Sequence, residues 1–116
     1  MPKMSKQARA REFNATSRRI IKERDRNQCI FCQMQYHMED VTWSGPGSLS
    51  IMHYIPRSRG GLGIPQNGAQ GCVSHHEMLD NGNKSRREEM LQMFRQYLQD
   101  HYPDWSEDAL IYNKWR

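Results

Sequence analysis

Two short pairs of metal-type side chains constrain this chain more than anything else in it. Cys29-Ile-Phe-Cys32 and Cys72-Val-Ser-His75 each place two potential ligands two residues apart, with residues 33–71 between the pairs. A two-residue gap lets both side chains of a pair face one tetrahedral ion, and thiolate with imidazole suits zinc. Either pair alone is a half-site, and Cys29 with Cys32 would also serve as a redox pair or two buried thiols. Together they make a Cys3His set for one structural zinc. Three cysteines is an odd number, which argues against a complete disulfide framework. A staple is useful here: 116 residues bury roughly 65% of their unfolded surface, and this chain is only 36% hydrophobic, with a mean hydropathy of -0.98.

Charge is distributed unevenly. Residues 1–28 carry a balance of +6, whereas the remaining 88 carry -2, within a net charge of +4. A basic block is either a solvated helix face or an arm for nucleic acid, and Arg18, Arg19 and Lys22 are its candidate DNA contacts. No apolar run approaches the roughly 18 residues of a membrane span, and the N-terminus is polar. The expectation is a soluble, cytoplasmic protein with no membrane partner.

The pattern predicts one compact domain with three parts: a basic N-terminal arm or helix over 1–28, a zinc-stapled core over 29–84 and a helical segment over 85–116. Residues 9–26 are helix-compatible, with a weak middle at 14–17. Trp43 and a Ser-Gly-Pro-Gly-Ser turn over 44–48 mark an irregular excursion, and His37 reads as a surface or packing histidine. Residues 74–80 read as a short helix stopped by Asn81-Gly82. Ser85-Arg-Arg-Glu88 is a capping-box pattern that predicts a helix from Arg86. Met90, Leu91, Phe94 and Leu98 supply its packing stripe, and Pro103 ends it. Ala109, Leu110, Tyr112 and Trp115 suit a short docking helix.

The chemistry concentrates at 51–76. An apolar run from Ile51 to Ile55 carries His53 and breaks at Pro56. A basic, glycine-rich loop follows, then Asn67, then Cys72 to His76. His53-Tyr-Ile-Pro-Arg-Ser-Arg-Gly-Gly, Asn67 and His76 resemble the motif of the HNH endonucleases. His75 and His76 are about 100° apart on a helix, so one can close a zinc site while the other faces a cleft. The spacing assigns zinc to His75 and the cleft to His76.

The resemblance implies an α+β chain with a small ββα-metal, treble-clef-like core on a zinc knuckle, flanked by N- and C-terminal helices. It implies a metal-dependent DNA endonuclease similar to the small HNH proteins of phages, cytoplasmic in a host cell, with phage packaging proteins as further partners. His53 becomes the general base. Asn67 pins the loop and orients it, and His76 holds a catalytic magnesium, manganese or nickel. Arg57 and Arg59 are the candidate phosphate clamp. Many family members place Asp or His immediately before the base as a second cation ligand; here that position is Met52, a thioether ill-suited to magnesium. Asp80, four residues after His76, is the candidate substitute. His75 also departs from the usual fourth knuckle cysteine, a change zinc accepts. Two other classes remain open at this point: a zinc-stapled DNA-binding module with a degenerate site, and a protein-interaction knuckle without DNA affinity.

Overall fold

The structure, a computed structural model, describes residues 5–42, 48–82 and 84–112. Trp43, the turn residues 44–47 and Trp115 lie outside them. The N-terminal helical stretch is two helices, α1 (Lys6–Arg11) and α2 (Ala15–Arg24). The break falls where the helical pattern is weakest. Asn14 caps α2 with its side-chain oxygen 2.8 Å from the Ser17 N–H, and Asn is among the best N-cap residues. Beyond α2, Arg26 and Asn27 both take left-handed backbone angles, and the chain turns into α3, a single turn (Ile30–Gln33).

A two-stranded antiparallel sheet follows, β1 (Ser50–His53) against β2 (Gly68–Gly71), with His53 opposite Gly68 and Met52 opposite Ala69. Successive strand side chains alternate in direction. Met52 is accordingly 1% exposed in the core, while Ile51 and His53 line the opposite, open side. Gly71 makes this possible, because a β-carbon there would come within 2.4 Å of the Met52 sulfur. The strand passes directly into α4 (Val73–Asn81), which ends at Gly82 as the sequence suggests.

The long helix α5 (Lys84–His101) buries Met90, Phe94 and Leu98 completely, the stripe expected from their spacing. It begins two residues before the predicted start, so Ser85 lies inside the first turn rather than capping it. After α5 no docking helix forms over the described residues. A 3-10 turn (Glu107–Leu110) buries Leu110, and Ile111 bridges to Gly61. Here cross-chain pairing outcompetes local helix: Leu62 N–H donates to the Leu110 carbonyl and Tyr112 N–H to the Gly60 carbonyl, both at 2.8 Å. The result is a small α+β domain.

A buried polar network joins α2 to the sheet and α5. Asp25 is fully buried and accepts from the Gln70 N–H (2.8 Å), the Tyr97 hydroxyl (2.6 Å) and Arg24 (2.7 Å). Arg24 also donates to the carbonyls of Pro65 (2.8 Å) and Gly68 (2.6 Å), with its guanidinium over the rings of Tyr97 and Tyr102. Burial, then the hydrogen bond to Asp25, push the Tyr97 pKa up, so its hydroxyl stays a donor. Removing one partner of a buried ion pair strands the other, at a cost of about 3–5 kcal/mol. Asp25→Ala is therefore expected to lower the stability of the zinc-loaded protein by about that amount in urea denaturation, whereas Arg19→Ala on the exposed face of α2 changes it by less than about 0.5 kcal/mol.

Candidate metal centre and adjoining cleft

The two ligand pairs are built by the same local device. Cys29 is the N-cap of α3 and Cys72 the N-cap of α4, and each sulfur accepts the N–H three residues on, from Cys32 and His75, at 3.4 Å. Each sulfur thus caps its helix by accepting one of the first-turn N–H groups that has no partner within the helix. The two turns meet. His75 Nδ1 lies 3.4 Å from Cys29 Sγ, 3.5 Å from Cys32 Sγ and 3.3 Å from Cys72 Sγ, and the Cys32 and Cys72 sulfurs are 3.8 Å apart. A tetrahedral zinc, with bonds near 2.3 Å to sulfur and 2.0–2.1 Å to nitrogen, places its donors roughly 3.5–3.8 Å from one another. The four side chains fit that ion.

The surroundings complete the fit. His75 is fully buried, and its Nε2–H donates to the Tyr36 carbonyl at 2.6 Å, which leaves the Nδ1 lone pair among the sulfurs. Burial lowers the His75 pKa and so favours the neutral ring a metal requires. Burial also pushes the Cys29 and Cys32 thiols up, and charge on neighbouring sulfurs adds to this; a divalent cation reverses that balance. Among the described residues one other cluster has metal-type side chains, His37 with Glu39 and Asp40, on a partly exposed turn.

One residue beyond His75, His76 points elsewhere. It lines a cleft of about 380 Å³ together with His53, Asp80, Arg18, Arg57 and Arg87. His76 Nε2 is 3.3 Å from the Asp80 carboxylate one turn along α4, and its Nδ1 is 2.7 Å from the Ser50 hydroxyl. His53 Nε2 is 2.9 Å from the Arg11 carbonyl, and a carbonyl only accepts, so the proton is on Nε2 and Nδ1 keeps a lone pair. The His53 pKa is lowered, first by burial, then by the positive charge of Arg57 and by His76; Glu12 and the Arg11 carbonyl act against this. The ring is neutral at pH 7.

Asn67 is fully buried under the loop that follows His53. Its side-chain oxygen accepts the Ile55 N–H (2.8 Å), and its amide donates to the carbonyls of Ile55 (3.1 Å) and Leu62 (2.8 Å). It pins both ends of that loop and reaches His53 only through the backbone. Arg57 is in the cleft, but Arg59 lines a separate recess with Tyr54 and Glu107. Arg19 and Lys22 are exposed on α2 and outside the cleft lining. The Met52 side chain belongs to the core and not to the cleft.

Several residues of the cleft, and two that hold its histidines, carry no local signal in the sequence. Glu12 and Phe13 lie in the basic block and Arg87 near a helix start, all in the cleft lining; Arg11 and Ser50 hydrogen-bond His53 and His76 from beside it. Only folding brings α1, β1 and α5 to one place, so no local spacing could have flagged them.

The zinc-loaded chain is expected to hold one metal per molecule, with cobalt substitution giving a tetrahedral thiolate spectrum that His75→Ala and Cys72→Ala abolish. Structural zinc contributes roughly 10–16 kcal/mol of apparent binding energy in small domains, comparable with the whole stability of a domain. Chelation should therefore remove the cooperative unfolding transition seen by circular dichroism. Comparison with known protein families, curated proteins and solved structures finds no match.

Proposed function

We propose that the chain is a metal-dependent DNA endonuclease of the HNH type, with β1, β2 and α4 as its ββα unit and a structural zinc on Cys29, Cys32, Cys72 and His75. One observation carries the reading. A neutral histidine of fixed tautomer, a His–carboxylate pair and three arginines converge on one cleft. Phosphodiester hydrolysis needs those three parts: a base for water, a seat for a cation and positive charge for the phosphate.

His53 is the base. Its Nε2–H is committed to Arg11, so Nδ1 takes the proton from water, a role worth about 10² to 10⁴ in rate. Arg57, with Arg18 and Arg87, offers guanidinium forks that match phosphate oxygens. Ser50 Oγ can accept a hydrogen bond from His76 Nδ1–H, which turns the Nε2 lone pair toward Asp80. The 3.3 Å between that nitrogen and the Asp80 oxygen suits two ligands of one ion. A divalent cation held there, magnesium, manganese or nickel, would supply charge for the attacked phosphate and the leaving oxygen.

A second reading has its own support. Met52 lies in the core, so the residue before the base offers no ligand, and His76 with Asp80 holds any cation without it. On that reading the cleft binds DNA without cutting it. Supercoiled plasmid separates the two. The endonuclease nicks it only with a divalent cation, and His53→Ala and His76→Ala each lower the rate by about 10² or more. A plasmid that shifts in a gel at low salt but is never nicked, under any of the three cations, leaves the binding module.

Acidity gives a further check. A base whose pKa is lowered stays neutral below the usual histidine value of about 6.5. The rate should hold from neutral pH down past that value and fall only as pH drops through the lowered pKa. A midpoint above 6.5 would contradict His53 as the group that titrates. Met52→Asp is expected to destabilise the protein by burying a carboxylate, and not to raise cleavage.

A further inference from the structure

The residues between α1 and α2 build one wall of the cleft. The Ala10 carbonyl accepts the Gly63 N–H at 2.9 Å, and a β-carbon at Gly63 would lie 2.2 Å from the Glu12 backbone, so only glycine admits the approach. The Arg11 carbonyl accepts the hydrogen bond from His53 Nε2–H, and Arg11 Nη1 donates to the Arg57 carbonyl at 3.1 Å. Phe13 is buried with its ring centroid 4.4 Å from that of His53. Glu12 is thereby held between two fixed neighbours, and its carboxylate is paired with the Arg57 guanidinium. Both side chains remain open to solvent, at 34% and 55% exposure.

We propose that Glu12 stands in for a phosphate: its carboxylate occupies Arg57 in the free protein and is exchanged for a phosphodiester oxygen when nucleic acid enters the cleft. The identity of the anion rests on the endonuclease reading; the exchange itself rests on the ion pair. Carboxylate and phosphate compete for the same guanidinium fork, since both present paired oxygens to it. An exposed pair of this kind is worth a factor of about two to five in an equilibrium constant. A polyanion that also meets Arg18 and Arg87 overcomes such a factor easily, whereas a lone anion gains too little from one arginine. Glu12 is then a selectivity residue, discriminating against small anions and isolated charges.

The test is a double-mutant cycle on the full zinc-loaded chain. A short fluorescein-labelled DNA duplex is titrated by anisotropy over a range of salt with wild type, Glu12→Gln, Arg57→Ala and the double variant. Glu12→Gln should tighten binding about two- to fivefold. Arg57→Ala should weaken it and reduce the logarithmic salt slope by about 0.9, one phosphate contact. In the Arg57→Ala background, Glu12→Gln should have little effect. Equal tightening in both backgrounds would reduce Glu12 to bulk charge and overturn the proposal. So would unchanged or weaker binding by Glu12→Gln, or no binding by any of the four. Plasmid nicking by the same wild-type preparation is read separately. Coupling without nicking removes the endonuclease and keeps the exchange; nicking without coupling does the reverse.

Discussion

Everything in the cleft depends on the rotation of α4, and the Cys3His cluster sets that rotation. Cys72 ends β2 and caps α4, and His75 re-enters the cluster three residues later with Nδ1 at 3.3 to 3.5 Å from three sulfurs. With those two positions tied, His76 is forced about 100° around the axis and Asp80 lies one turn below it. The Tyr36 carbonyl finishes the constraint by holding the far side of the His75 ring. Slipping the register by one residue would put His76 among the sulfurs and turn His75 out. The ion that would staple the fold is therefore the same one that aims the cleft histidine.

The other wall is held by a different kind of interaction. Arg24 and Asp25 close the angle between α2, the Pro65–Gly68 backbone and α5 through hydrogen bonds that are buried or partly buried. A buried ion pair adds little net stability compared with apolar packing, but its geometry is directional. Here the direction matters, because α2 follows the link that carries the Arg11 carbonyl and Phe13 to His53. One polar network and one metal-type cluster thus hold the two sides of a cleft whose own residues, Phe13 apart, are partly or fully exposed.

Much of this was legible because it is local. Two-residue ligand spacings, the Met90–Phe94–Leu98 stripe and the Gly82 stop depend on neighbours along the chain, and the described structure shows all three. Asn14 is a cap signal inside a stretch whose composition is otherwise helix-compatible, and the helix breaks there. The Ser85 capping box was outweighed by a helix entered at Lys84. Arg24 and Asp25 looked like ordinary charges at a helix end, since nothing in a window of sequence shows that Gln70 and Tyr97 will meet them. Glu12 was lost in a charge balance for the same reason. Met52 is the instructive case. Strand alternation puts its side chain on the face of β1 opposite His53, and an apolar thioether stays in the core there.

Two histidines are held in defined tautomers, His75 with Nδ1 among three sulfurs and His53 with Nε2–H on the Arg11 carbonyl. Long-range 1H–15N correlation of the imidazoles in the zinc-loaded protein reads both at once. The account predicts Nε2–H for His53 and for His75, with His53 Nδ1 an unprotonated lone pair at neutral pH and His75 Nδ1 bound to the metal. A His53 ring protonated on Nδ1, or a His75 ring that titrates freely, would contradict it.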